Sequence, residues 1–175
     1  MGVNKYQSHL LILAEDDAYR DLANGFVKHF AVAVNKILIE KPAGGWLELL
    51  KIFSQEYESD VRKYPNRYVL LLLDLDGDQE RSEEIFTNRI PDEIKDRVFI
   101  LCCKDEAESI KGELGSGKFE AIGEKLAQSC YDDTYINSNT PWLCSQLQHN
   151  RNELARLATT VRSFLFCLAH FGQGS

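Results

Sequence analysis

Arg67 to Glu80, RYVLLLLDLDGDQE, is the stretch from which the fold can be read. Tyr68 and the run Val69 to Leu73 are apolar, and they pass without a break into Asp74, Asp76 and Asp78 around Gly77. An apolar run this short, entered from Pro65-Asn66 and left through a glycine, is the pattern of a strand buried on both faces of a mostly parallel sheet. The carboxylates then stand at its C-terminal tip, the edge of an open α/β sheet where ligands bind. Like charges so close together repel unless protons or a cation neutralise them. Hard divalent cations take carboxylate and water oxygens, so the tip predicts Mg²⁺ or Mn²⁺.

Outward from that stretch the same pattern recurs. His9 to Ala14 (HLLILA) reads as a first buried strand and also ends in acid, at Glu15-Asp16-Asp17. Ala18, Leu22, Phe26 and Phe30 follow at four-residue spacing on one face of a helix, with Asp16 and Asp17 suited to its positive end. Ala31 to Ile39 reads as a second strand, and Lys41 to Gly45 as a turn. Trp46, Leu49, Leu50, Phe53, Tyr57 and Val61 form the stripe of a second helix. Beyond Gly77, the charged segment 79–89 is a short helix or loop closed by Pro91. Arg97 to Cys103 is a fourth buried strand, followed by Asp105, Glu106 and Glu108 and a helix to about Leu114.

A helix marked by Phe119, Ile122 and Leu126 comes next, then a turn-rich loop over 131–141. Leu154, Leu157, Val161, Leu165 and Leu168 mark a long final helix that must cover the sheet. The alternation predicts a single α/β domain, a four-stranded, mostly parallel sheet flanked by helices, with a long C-terminal helix and a helical extension over 116–175 packed on the core.

With 175 residues, 44% of them apolar, the chain can fill one core. Its net charge of −7 excludes broad electrostatic adhesion to nucleic acid or anionic membrane and leaves only local or metal-bridged contacts. Five cysteines without zinc-finger spacing fit a reducing compartment, and adjacent Cys102 and Cys103 point to opposite faces of a strand. No signal-peptide pattern and no long apolar run is present, so the expectation is a cytoplasmic protein that makes no use of a membrane.

Glu15 after the first strand and Asp74-x-Asp76 after the third converge at one edge of such a sheet, and a strand tip would turn both members of the Asp pair to one side. Glu106, or Glu108, after the fourth strand is a further candidate. LLILAEDD (10–17) and LLLLDLDGD (70–78), in that order, resemble the Toprim domain of topoisomerases, DnaG-type primases and OLD-family nucleases. The resemblance covers roughly residues 8–115 and implies catalytic Glu15, Asp74 and Asp76. It also implies a divalent metal at these residues, with Asp78 and Glu106 as further ligands, and phosphodiester chemistry on the DNA or RNA backbone. Modules of this type usually work beside another domain, so a partner protein such as an ATPase is expected.

Two other families share fragments. Response-regulator receiver domains also place an acidic pair after the first strand and an Asp after the third, but here Cys102-Cys103-Lys104 stands where a receiver has its hydroxyl residue. Haloacid-dehalogenase phosphatases open with a motif that DLDGD nearly matches, with Asp78 in place of its Thr. A non-catalytic regulatory domain, resembling a receiver and working by protein contact, is therefore the alternative.

Asp16 and Asp17 read as helix caps, and Gly44-Gly45 as a turn. His149, Glu153 and Arg156 share a face of the final helix; with Arg151 they are candidates for phosphate or partner contact, against the plainer reading of a solvated Glu153–Arg156 pair. Lys118, Lys125 and Arg162 are further cations that could set specificity.

Overall fold

The structure, a computed structural model, describes residues 2–167, so the expected contribution of Leu168 to the final helix lies outside the described residues, as does His170. Its elements are β1 (His9–Ala14), α1 (Asp17–Lys28), β2 (Ile37–Ile39), α2 (Trp46–Ile52), α3 (Glu58–Lys63), β3 (Arg67–Asp74), α4 (Arg81–Arg89), β4 (Val98–Cys103), α5 (Glu108–Leu114), α6 (Phe119–Tyr131) and α7 (Arg151–Leu165). A π-helical turn, Phe53–Tyr57, joins α2 to α3. The four strands form one parallel sheet in the order β2-β1-β3-β4. This is the expected α/β fold with a parallel sheet, flanking helices and a C-terminal helix.

Alternation along the strands feeds two apolar cores, one on each face. Leu10, Ile12, Leu70, Phe99, Leu101 and Cys103 meet α1, α6 and α7, while Leu11, Leu13, Val69, Leu71, Ile100 and Cys102 meet α2, α3 and α4. Each buried Leu, Ile or Phe contributes about 1.5–3 kcal/mol of transfer free energy, so both faces hold the sheet in place. The neighbouring thiols of Cys102 and Cys103 divide between the two cores, as the period of a strand requires.

Two expectations fail. The segment 31–39 is a strand only over Ile37–Ile39; Val34–Lys36 is a 3₁₀ turn, and Val32 makes an isolated antiparallel bridge with Phe166. Ala31 and Val32 are apolar because a loop buries them, which hydropathy does not distinguish from a strand. Phe30 does not continue the face of α1: the helix ends at Lys28, His29 is extended, and Phe30 is 79% exposed.

Among the described residues the outer edge of β4 has no neighbouring strand, and α7 with its N-cap Asn150 covers it. Asn150 exchanges two hydrogen bonds with the backbone of Cys102, Glu153 accepts the Ile100 N–H at 2.9 Å, and Arg156 donates to the Val98 carbonyl at 2.6 Å. One row of helix side chains thus meets alternate residues of the strand and satisfies groups that would otherwise template aggregation.

Candidate functional site

The strand order reverses direction between β1 and β3: the chain runs from β1 to β2 on one side and returns to β3 on the other. Crevices at such switch points, beyond the carboxyl ends of the strands, are the usual binding places of open α/β sheets. Glu15 and Asp74 flank this one. Glu15 continues β1, its N–H donating to the Leu72 carbonyl at 2.9 Å, and Asp74 is the last residue of β3.

The two residues are in direct contact. The Glu15 carboxylate accepts the Asp74 N–H at 2.8 Å, and the Trp46 N–H at the start of α2 also faces it. Trp46 is brought there because the N–H groups of Gly44 and Gly45 both donate to the Glu15 carbonyl, at 2.8 and 3.2 Å. Burial raises the Glu15 carboxyl above its usual range, and these N–H groups only partly offset it.

Asp74 is half-buried, and Tyr19 of α1 anchors it. The Tyr19 hydroxyl contacts the Asp74 carboxylate, lies 2.8 Å from the Leu73 carbonyl and accepts the Cys103 N–H at 3.2 Å. Burial, reinforced by Glu15, Asp16 and Asp76, pushes the Asp74 carboxyl up to about 7, against the opposing hydrogen bond from Tyr19. A phenol has one proton, so it cannot donate to Leu73 and Asp74 together. With Asp74 protonated, the Asp donates to Tyr19, Tyr19 donates to Leu73, and every group is satisfied.

Asp76 does not join this pair. The chain leaves the strand after Asp74, buries Leu75, and places Asp76 (φ 49°) and Gly77 (φ 78°) in left-handed conformation, closed by the Asp78 N–H on the Leu75 carbonyl at 2.9 Å. That is a type I′ turn, and it breaks the alternation that would align positions 74 and 76. The Asp76 carboxylate instead takes Arg81 at 2.6 Å, and Asp78 stands 3.9 Å from the same guanidinium. Arg81 also donates to the Asp74 carbonyl at 3.0 Å and lies over the Trp46 ring, 4.8 Å from its centroid.

Among the described residues, no three His, Cys, Asp or Glu side chains are grouped to hold a metal ion. Glu15 and Asp74 meet as a pair, and the larger expected metal set with Asp76, Asp78 and Glu106 is not drawn together. Glu106 and Glu108 are exposed beyond β4, while Asp105 is held by Gln146 at 2.9 Å. Comparison of the chain with protein-family models, curated proteins and solved structures finds no match.

The other sequence candidates divide. Asp16 caps α1, accepting the Tyr19 N–H at 3.2 Å, so the acid after Glu15 also fixes the register of the tyrosine that holds Asp74. Arg156 is engaged within the protein by Glu153, Lys95, Val98 and the Phe99 ring, whereas His149 and Arg151 are exposed. Arg162 donates to the carbonyls of Cys130 and Tyr131. Tyr19, Trp46 and Arg81 are the site residues that the pattern of acids does not reveal. Arg81, five residues after Asp76 in an otherwise acidic run, was the available signal.

Among the described residues, no helix is long and apolar enough to cross a membrane.

Proposed function

We propose that the chain is a Toprim-like module in which Glu15 and Asp74 take a divalent cation, Mg²⁺ or Mn²⁺, and act on the phosphodiester backbone of DNA or RNA. The observation that supports this most is the meeting of the two carboxyl-bearing residues at the switch point, both with raised proton affinity. A half-buried acidic pair of this kind favours a proton or a cation, and Mg²⁺ commonly uses only one or two carboxylates, completing its shell with water and substrate phosphate. Such an ion supplies Lewis acidity and a more acidic bound water.

The protein's own groups hold the pair and meet the substrate. Tyr19 fixes the Asp74 carboxyl, the N–H groups of Asp74 and Trp46 orient Glu15, and Arg81 brings a planar fork of donors to the rim. A guanidinium in that position suits a phosphate. The test is calorimetric titration with Mn²⁺ and Mg²⁺ of the wild type, Glu15→Gln and Asp74→Asn, beside cleavage assays on single- and double-stranded DNA and RNA, with and without a candidate ATPase partner. Binding by the wild type that both variants lose is the expected outcome. A folded wild type that binds neither ion and cleaves nothing overturns the reading.

A second reading is favoured by one observation: Arg81 already neutralises Asp76. On that reading the chain is a non-catalytic regulatory domain that contacts another protein through this rim. Unchanged partner binding and full biological activity in Asp74→Asn would favour it.

A further inference from the structure

Between the sheet and the layer formed by α1, α6 and α7 lies a cavity of about 110 Å³. Leu10 and Ile12 of β1, Leu70 of β3, Leu101 of β4 and Leu157 and Val161 of α7 are among its walls. We propose that this cavity is a binding site for a compact, non-polar molecule no larger than benzene. The site is separate from the acidic rim, and the proposal does not depend on the chemistry inferred there.

The walls decide the class of ligand. Tyr19 and Arg162 line the cavity, and both have their polar ends engaged elsewhere: Tyr19 on Leu73, Asp74 and Cys103, and Arg162 on the carbonyls of Cys130 and Tyr131. The thiols of Cys103 and Cys130 also line it, and burial pushes both up, so they remain neutral. Among the described residues, no buried side-chain nitrogen or oxygen lacks a partner. A water needs two to four polar partners, and none is on offer, so the space is dry.

Dry space of this kind leaves its lining without dispersion contacts, which a non-polar occupant restores. Apolar cavities of about 150 Å³ accept benzene or xenon, which sets the scale for this smaller one at xenon, a small hydrocarbon or a closely fitted benzene. A hydroxyl on the ligand would be buried without a partner, so phenol is rejected.

The test uses the full chain with methyl-labelled Leu, Ile and Val, followed by NMR during titration with xenon and with benzene, and with phenol as the polar control. The expected result is saturable shifts centred on Leu10, Ile12, Leu70, Leu101 and Val161 with at least one non-polar probe, and none with phenol. Ala158→Leu and Ala23→Val, which each fill part of the cavity from a different helix, should lower the affinity at least tenfold wherever the variant remains folded. No shift in the wild type with either probe, shifts centred elsewhere, or equal binding of phenol overturns the proposal.

Discussion

The side-chain amide of Asn150 is bonded to both backbone groups of Cys102: its Oδ1 accepts the N–H at 2.9 Å and its Nδ2 donates to the carbonyl oxygen at 2.7 Å. One amide side chain thereby stands in for the peptide group of a neighbouring strand at the end of β4, beside the acidic rim. Both residues are buried, so truncation leaves a donor and an acceptor without water. Asn150→Ala is expected to lower unfolding free energy by roughly 2–4 kcal/mol, since each stranded buried group costs about 1–3 kcal/mol. Asn150→Asp should be at least as harmful, because it sets an acceptor against the Cys102 carbonyl. Urea denaturation measures both, and the exposed Asn152→Ala, expected within about 0.5 kcal/mol of wild type, is the control. An Asn150→Ala protein as stable as that control would refute the pairing.

The strands that carry the site were legible because uninterrupted apolar runs of five or six residues have few other uses: His9–Ala14, Arg67–Asp74 and Val98–Cys103 are strands within a residue or two of expectation. Hydropathy reports burial and not ladder pairing, which is why Ala31 and Val32 looked like part of a strand. The acidic rim was legible as charge, while its arrangement was not. Whether Asp76 faces Asp74 or Arg81 depends on a left-handed turn, and Asp-Gly is compatible with several turn types. The role of Asn150 and Glu153 as an edge cover depends on how α7 crosses β4, a tertiary relation with no local signature.

The Asp74 carboxyl, pushed up to about 7 chiefly by burial, makes stability depend on pH in a defined direction. Its ordinary value is 3.8, so between 3.8 and about 7 the folded chain holds a proton that the unfolded chain has released. Unfolding free energy from this group is therefore fully present below that window and is lost as pH rises through it. Glu15, also raised, acts in the same sense. Thermal melts in chelator from pH 4 to 8 should show the stability of Asp74→Asn relative to wild type increasing with pH. A difference that stays constant across the range would mean that Asp74 titrates normally.

Arg81 competes for the negative charge that a divalent cation would use. Its 2.6 Å contact with Asp76 is made at a carboxylate that is mostly in water, a setting in which one ion pair contributes at most about 1 kcal/mol. Arg81→Gln is thus expected to tighten Mn²⁺ binding by up to roughly fivefold while weakening any phosphate contact at the rim. Calorimetry reads the first effect and nucleic-acid affinity at low salt the second. Weaker Mn²⁺ binding in a folded Arg81→Gln protein would show instead that Arg81 positions the carboxylates.

Helices α1 and α6 meet through two glycines that carry no side chain because there is no room for one. A Cβ on Gly123 would stand 2.0 Å from the Leu22 carbonyl oxygen and 2.8 Å from the Phe26 nitrogen, and one on Gly25 would stand 2.0 Å from the Glu120 carbonyl oxygen. All of these are backbone atoms, so no rotamer change relieves the clash and the helices must separate. Helix propensity alone predicts that Gly123→Ala gains about 1 kcal/mol. Overpacking of a well-filled interface costs about 1–3 kcal/mol and is expected to win, giving a net loss with a displaced α6. Gly112 in α5 provides the contrast, since a Cβ there meets nothing within 4 Å. Gly112→Ala should therefore stabilise by up to about 1 kcal/mol. Paired urea titrations of the two variants separate the effects, and a Gly123→Ala chain that gains stability like Gly112→Ala would show that α1 and α6 do not approach this closely.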